Sequence, residues 1–146
     1  LTIINTIIHD ETSPENLSKI SQPFDNEVAL KLDNVKDSSE DKNVAELKSM
    51  DMALGMSEDE SYKMLLIDLK LNCNGSKSLS SNDCKNKIRG SKFILFGGGI
   101  PVHNTYLYVF NNQYLYKEET RHDISRKINN RSVEVLNINE LKAKYF

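Results

Sequence analysis

The sequence predicts an α+β fold, with N-terminal helices followed by a small antiparallel sheet that has a central hairpin and a short C-terminal helix. Apolar residues recur at helical spacing in the first part of the chain and at alternate positions in the last part. Helices that precede strands in this way are typical of α+β proteins. With 146 residues, 38% of them hydrophobic, the chain fits one ordinary domain or two small units that share a core.

A short helix and an ambiguous segment come first. Ser13 occupies the N-cap position of the helix, Pro14 lies in its first turn, and Pro23 ends it. Residues 28–35 fit a strand, because apolar residues alternate there, but they also fit one face of a helix. The sequence leaves this element open.

Two further helices are predicted on either side of Gly55. The first begins at residues 38–41, and Gly55 provides its C-terminal stop. The second begins with a capping box, in which the Ser57 hydroxyl and the Glu60 carboxylate each accept a hydrogen bond from a free backbone N–H group. Its buried face has the helical spacing i, i+3, i+4 and i+7, in Tyr62, Leu65, Leu66 and Leu69.

The polar residues 73–84 form the predicted internal boundary, because the apolar period changes from about 3.6 to 2 soon after them. Residues 92–96 indicate a buried strand, and residues 97–101, with three glycines and a proline, indicate a turn. The clearest β-hairpin comprises residues 102–110 and 114–119, joined at 111–113. A strand at 133–138 follows, and Asn139 caps a closing helix that begins at Glu140.

The charge is divided between the two segments. Residues 1–84 carry 8 Lys and Arg against 16 Asp and Glu, a net charge of −8, whereas residues 85–146 carry 11 against 5, a net charge of +6. We therefore expect an acidic helical segment, 1–84, and a basic β-rich segment, 85–146, which can also pack as one domain. Such asymmetry points to a nucleic-acid partner or a charged protein partner. In the alternative, the two segments neutralise each other within one fold.

The predicted hairpin is rich in aromatic residues. With a three-residue turn, Tyr106, Tyr108, Phe110, Tyr114 and Tyr116 share one face, and the aliphatic residues share the other; a two-residue turn would mix them. Exposed rings beside a basic segment could stack on bases, at about 1–3 kcal/mol per base. In the alternative, the tyrosines are ordinary strand residues that pack their rings.

Two histidines flank the same hairpin. His103 precedes its first strand and His122 follows its second, so a tight hairpin would bring the two imidazoles near one substrate. Paired imidazoles can act as general base and general acid in metal-independent phosphodiester cleavage. The candidate catalytic residues are therefore His103, His122, Arg121 and Lys127, and the candidate substrate-binding residues are Thr105, Tyr106, Tyr108, Tyr116 and Arg126. In the alternative, both histidines are ordinary surface residues.

Other site classes lack their motifs. His9, Asp10 and Glu11 cluster without ligand spacing, and the two cysteines do not form a Cys-x-x-Cys pair, so we expect no metal site and no cofactor. The glycine run lacks the rest of a dinucleotide or phosphate-loop motif. No apolar run approaches the roughly 20 residues of a membrane span. Because the chain begins at Leu1, we expect a processed product or a piece of a longer protein.

Cys73 and Cys84 lie in the polar boundary segment among turn-forming residues. A disulfide between them would close a short loop and contribute about 3 kcal/mol in an oxidising compartment. Two independent reduced thiols are the alternative.

The residues around these cysteines carry a resemblance to a known family. The run 69–73 and the run 79–85 are similar to the C-terminal tails of bacterial contact-dependent growth inhibition proteins and related polymorphic toxins. In those tails an acidic, helical, cysteine-paired segment precedes a small toxin domain that is often basic and commonly a nuclease. The resemblance covers about a fifth of the chain, and it implies a cognate immunity protein as a partner.

These observations together predict a fragment of a secreted bacterial effector or toxin that is delivered into a target cell. Its basic segment would engage nucleic acid and would cleave RNA with the two histidines. The alternative is a non-enzymatic protein-binding module, such as an immunity protein or adaptor, whose acidic helices cover a basic partner.

Overall fold

A computed structural model describes residues 1–97, 99–111 and 116–146. Within them the chain forms one six-stranded sheet, in which the spatial order follows the chain order: β1 (Thr2–Ile3), β2 (Val28–Lys31), β3 (Met52–Glu58), β4 (Ser61–Lys70), β5 (Val102–Phe110) and β6 (Val133–Asn137). Strands β1 to β4 pair antiparallel, whereas β4, β5 and β6 pair parallel. The mixture of helices and strands is confirmed, but the sheet is mixed and not antiparallel.

The helices cover both faces of this sheet. They are α1 (Ile4–Asp10), a 3-10 helix (Pro14–Lys19), α2 (Leu32–Asp37), α3 (Lys42–Ala45), α4 (Ser81–Gly97), α5 (Lys117–Ile128) and α6 (Ile138–Tyr145). Helix α4 connects β4 to β5, and α5 connects β5 to β6, as parallel neighbours require. None of the described helices is long and apolar enough to cross a membrane.

Successive residues of the central strands point into two separate cores. Ile67 and Leu107 pack with α1 and α6 on one face, whereas Leu66 and Tyr108 pack with α4 and α5 on the other. Because β4 and β5 are covered on both faces, their apolar residues form continuous runs.

The helix predicted to begin at Ser57 is wrong, because this segment forms the β3–β4 hairpin. Asp59 and Glu60 have φ angles of 45° and 65°, the left-handed conformation that a tight two-residue hairpin turn requires. Leu65 and Leu66 are both buried since β4 is central. A strand buried on both faces has a continuous apolar run, which contains helical spacing by coincidence.

Two other predictions of helices and strands are also wrong. The helix predicted to end at Gly55 is limited to α3, and Gly55 lies within β3. The strand predicted at 92–96 is the last part of α4, in which Phe93 and Phe96 are exposed.

The predicted aromatic hairpin is confirmed only in its first strand, β5. Residues 117–119 begin α5, and Tyr114 and Leu115 lie outside the described residues. Strand β5 pairs with β4 on one side and with β6 on the other, both parallel, so neither edge is free for an antiparallel partner. Asp123 lies within α5.

Several local predictions are confirmed. Pro14 begins a short helix, although it is a 3-10 helix. The ambiguous segment at 28–35 contains both predicted structures in succession, since β2 ends at Lys31 and α2 begins at Leu32. Strand β6 is formed, but the closing helix is capped by Asn137, two residues earlier than predicted, in a capping box with Glu140.

The acidic and basic segments share the one sheet, because β4 belongs to the first and β5 to the second. Ion pairs also join them: Lys87 lies 3.3 Å from Asp68, and Lys142 lies 3.3 Å from Glu27. Part of the charge division is therefore neutralised inside the fold.

Helix α4 approaches the segment before β3 at Gly90, where an added Cβ would lie 1.8 Å from the carbonyl oxygen of Lys48. We expect Gly90→Ala to lower the free energy of unfolding by about 1–3 kcal/mol or more, although alanine favours helix. Urea denaturation measures it. Gly97→Ala, where a Cβ meets nothing within 4 Å, is the control in the same helix. Equal stability of the two variants would contradict this close packing.

Candidate active site

The structure does not bring His103 and His122 together. Position 103 alternates with Val102, which packs on the α4–α5 side, so His103 belongs to the opposite face of the sheet from α5 and His122. His103 Nδ1 accepts a hydrogen bond from the Thr105 N–H at 3.0 Å, and its Nε2 lies 3.5 Å from Glu58. The two imidazoles cannot serve one substrate in this arrangement.

The other predicted residues of α5 do gather. Arg121, His122 and Arg126 line a cavity of about 660 Å³ on α5, which also includes Arg131. Arg126 and Lys127 each lie 3.0 Å from Asp123, and Lys127 also donates to the carbonyl oxygen of Ser76 at 2.6 Å. These cations therefore form a surface cluster, apart from His103.

The tyrosines divide into core and surface residues. Tyr106, Tyr108 and Phe110 share a face as predicted, but that face is covered by α4 and α5, and all three are buried. Burial raises the pKa of Tyr108 well above its ordinary value. Tyr116, before α5, is 77% exposed, and among the rings of the predicted hairpin that the structure describes it is the exposed one.

The predicted disulfide is not formed in the structure, in which Cys73 and Cys84 are free thiols. Cys84 faces the core from the first turn of α4, and burial raises the pKa of its thiol. Cys73 follows β4 and is partly buried against the same core.

A cluster of carboxylates and lysines at the carboxyl end of β4 was not predicted from the sequence. Asp68 is 1% exposed and lies 2.9 Å from Lys70, two residues along the strand on the same face, and 3.3 Å from Lys87 of α4. Asp51, just before β3, lies opposite Asp68 in the antiparallel register in which Met52 pairs with Ile67, and the charges of Asp68 and of Glu11, after α1, both act on it. These five residues, Glu11, Asp51, Asp68, Lys70 and Lys87, are named the β4 cluster.

Backbone hydrogen bonds fix the position of Asp51. Its N–H donates to the Ile67 carbonyl at 3.1 Å, and its own carbonyl accepts from the Leu32 N–H at 3.1 Å. Its carboxylate accepts from the Leu69 N–H at 2.6 Å. The Asp51 side chain is therefore held against β4, and the geometry does not depend on a flexible loop.

The carboxyl groups of the β4 cluster are strongly coupled. Burial, together with the charges of Asp68 and Glu11, raises the pKa of Asp51 to about 9, against the opposing effect of the hydrogen bond from the Leu69 N–H. Burial and the charges of Asp33 and Asp68 also raise the pKa of Glu11. Asp51 thus holds a proton at neutral pH, between carboxylates that cannot all ionise without a cation.

Lys70 remains charged in this cluster. Its burial lowers the pKa of the ammonium, but the adjacent Asp68 carboxylate outweighs burial and raises that pKa above the ordinary value. A lysine held in the charged form can stabilise an anion but cannot accept a proton as a general base. The cluster therefore offers fixed positive charge beside a pair of carboxylates.

The carboxylates also bear on cation binding. Among the described residues, no three His, Cys, Asp or Glu side chains are arranged to hold a metal ion together. Mg²⁺ commonly uses only one or two protein carboxylates and completes its shell with water and substrate phosphate. Within the described part of the chain, Asp51 and Asp68 are the candidate pair for such a site, because hydrogen bonds or ion pairs fix each of them and their charges interact.

A signal for this cluster is present in the sequence. Asp68 and Lys70 interrupt the apolar run 64–71, where charged residues would be costly in a buried strand unless they are paired. In the predicted helix, Asp68 would lie on the polar face, where a charged residue is ordinary. The sequence therefore did not reveal the site, because this segment was assigned the helical period and forms a strand.

Comparisons with protein-family models, with curated proteins and with solved structures found no match to this chain. The function is therefore argued from the geometry of the site.

The pKa of Asp51 predicts how stability depends on pH. The folded protein binds a proton up to about pH 9, whereas an ordinary aspartate releases it near 3.8. The stabilisation is therefore complete below the lower value and is lost as pH rises through the window to the higher one. Without divalent cations, we expect Asp51→Asn to raise the unfolding temperature at alkaline pH and to flatten its decline.

Thermal unfolding across this window tests the expectation, because asparagine keeps the acceptor for Leu69 N–H but cannot ionise. Asp37→Asn, at an exposed position in α2, is the matched control and should follow the unmodified chain. Parallel curves for Asp51→Asn and the unmodified chain would show that Asp51 ionises normally.

Proposed function

We propose that the chain is a nuclease that hydrolyses phosphodiester bonds at the β4 cluster with the help of Mg²⁺. The observation that carries the proposal is the Asp51–Asp68 carboxylate pair, held beside Lys70 and Lys87 at the carboxyl end of β4. Clusters of coupled carboxylates with perturbed pKa values are typical of functional sites. The proposal replaces the metal-independent histidine mechanism that the sequence suggested.

The carboxylates supply the cation site. Asp51 and Asp68 would hold the Mg²⁺, which when bound would polarise a phosphate oxygen and offset the charge that develops on it. Asp51 must release its proton to bind the cation, and a cation in turn removes the repulsion that keeps Asp51 protonated. The charge of Glu11 also acts on Asp51 and raises its pKa.

The lysines supply fixed positive charge for the reaction. The Lys70 ammonium is charged and only 11% exposed, so its field is weakly screened by water. Lys87 reaches the same carboxylate from α4, at 22% exposure. Directed at a phosphate, such groups stabilise the transition state more than the substrate, which is the requirement for catalysis.

The position within the fold is consistent with this role. Substrates of open sheets that contain parallel strands bind outside the carboxyl ends of those strands. Strand β4 is parallel with β5, so its carboxyl end lies at that side of the sheet. The β4 cluster lies at its carboxyl end.

The first test is cleavage of labelled RNA and DNA by the purified chain with Mg²⁺ or with EDTA. We expect Mg²⁺-dependent cleavage that falls about 100-fold or more in Asp68→Asn and in Lys70→Met, because each removes charge from the reacting phosphate. Asp37→Asn is the control for loss of a carboxylate. Full activity in EDTA, or in both cluster variants, would refute the assignment.

The histidine hypothesis is tested in the same assay. Because His103 and His122 belong to different faces of the sheet, we expect His103→Ala to retain activity. We also expect the double variant, His103→Ala with His122→Ala, to lose no more activity than the two single variants predict together. A loss in both single variants, with cleavage in EDTA, would instead favour the metal-independent mechanism.

The resemblance at the cysteine segment supports a biological setting for this activity, a toxin that acts in a target cell. Induced expression in bacteria should then inhibit growth, and Asp68→Asn should relieve the inhibition. The protein-binding alternative predicts no cleavage, tight binding to a basic protein and no binding to nucleic acid; that combination would replace the nuclease proposal.

A further inference from the structure

Two neighbouring cavities along α5 form one groove. The larger, about 1050 Å³, lies between α5 and the loop of residues 72–78, and the smaller, about 660 Å³, extends to Arg131 after α5. Both are lined by Glu119, Asp123 and Arg126, so they share a wall. This continuous depression is named the α5 groove.

One end of the α5 groove adjoins the β4 cluster. Asn72, in its wall, follows Lys70 by two residues, and the Asn72 side chain donates to the carbonyl oxygen of Glu11 at 3.1 Å. Glu11 and Lys70 both belong to the β4 cluster. Asn72 therefore connects the wall of the groove to the segments that carry the β4 cluster.

The charge of the groove suits a polyanion. Five basic residues line it, Lys77, Arg121, Arg126, Lys127 and Arg131, against two acidic ones, Glu119 and Asp123. Asp123 remains ionised, because hydrogen bonds from Ser76, Lys127 and Arg126 lower its pKa to about 2. Its negative charge is offset by the adjacent Arg126 and Lys127. The lining therefore presents a net positive charge to an incoming ligand.

Two arginines are placed to bind phosphates directly. The Arg126 side chain is 81% exposed and contacts a single Asp123 oxygen, so part of its guanidinium remains available. Arg131 is exposed and makes no ion pair among the described residues. Guanidinium groups bind phosphate oxygens with two parallel N–H bonds.

The aromatic residue of the groove indicates single strands. Tyr116 lines the larger cavity with 77% of its surface exposed. Stacking on such a ring requires an unpaired base, because the bases of a duplex are already stacked on one another. A basic groove with an exposed ring is the usual means of binding single-stranded nucleic acid.

We infer that the α5 groove binds a single-stranded polynucleotide, with phosphates on Arg126 and Arg131 and a base on Tyr116, and leads it to the β4 cluster. The inference rests on the proposed function, since it names the substrate of that site. Binding, however, can be measured without cleavage.

The test uses fluorescence anisotropy with a labelled oligonucleotide of about 12 nucleotides, in EDTA and with Asp68→Asn as the parent variant. Adding Arg126→Ala and Arg131→Ala should weaken binding about 10-fold or more and reduce the slope of log affinity against log salt by about 1.4, since each phosphate contact contributes about 0.7. Lys19→Ala with Lys42→Ala, exposed in the acidic segment, removes the same charge elsewhere and is the control. Equal effects of the two pairs would overturn the inference.

The strand preference is tested with Tyr116→Ala. We expect it to lose about 5- to 100-fold in affinity for the single strand and to leave the affinity for a duplex of the same length unchanged. Equal losses for both, or tighter binding of the duplex by the parent, would overturn the single-strand assignment. Specific binding without cleavage by the unmodified chain would refute the proposed function alone, whereas cleavage unaffected by the arginine pair would refute the groove alone.

Discussion

The attachment of Asp51 to β4 is the interaction on which both the fold and the proposed chemistry depend. Its backbone joins β4 through Ile67 and the start of α2 through Leu32, and its carboxylate accepts the Leu69 N–H. The same carboxylate lies against Asp68. One residue therefore ties the start of β3 to β4 and also places a second carboxyl group beside the buried Asp68.

The β4 cluster has an unfavourable electrostatic energy in the folded protein. Burying Asp51 beside Asp68 is costly unless a proton or a cation intervenes, and the paired lysines offset the charge of Asp68. Proteins retain such groups where function requires them, at the expense of stability. The surrounding cores provide the compensation, since β4 and β5 are buried on both faces. The two cores therefore stabilise a sheet that carries an unfavourable charged cluster at the end of β4.

The charge division of the sequence has two separate explanations in the structure. Part of it is internal, because Lys87 and Lys142 pair with acids of the first segment. The rest is carried by α4, in Lys85, Arg89 and Lys92, and by α5 together with Arg131. The proposed cation site and the proposed groove for a polyanion have complementary charges, as phosphodiester chemistry requires.

The sequence by itself determined what depends on near neighbours: the turn at Pro14, the strands β5 and β6, the shared face of Tyr106 and Tyr108, and a closing helix with a polar cap. It could not determine whether the run 64–71 is a helix or a central strand, because burial on both faces removes the alternation that distinguishes them. The site depended on that choice. Only the tertiary structure places Asp51, Asp68 and Glu11 together, since they come from three different elements, and only it shows that His103 and His122 belong to opposite faces of the sheet.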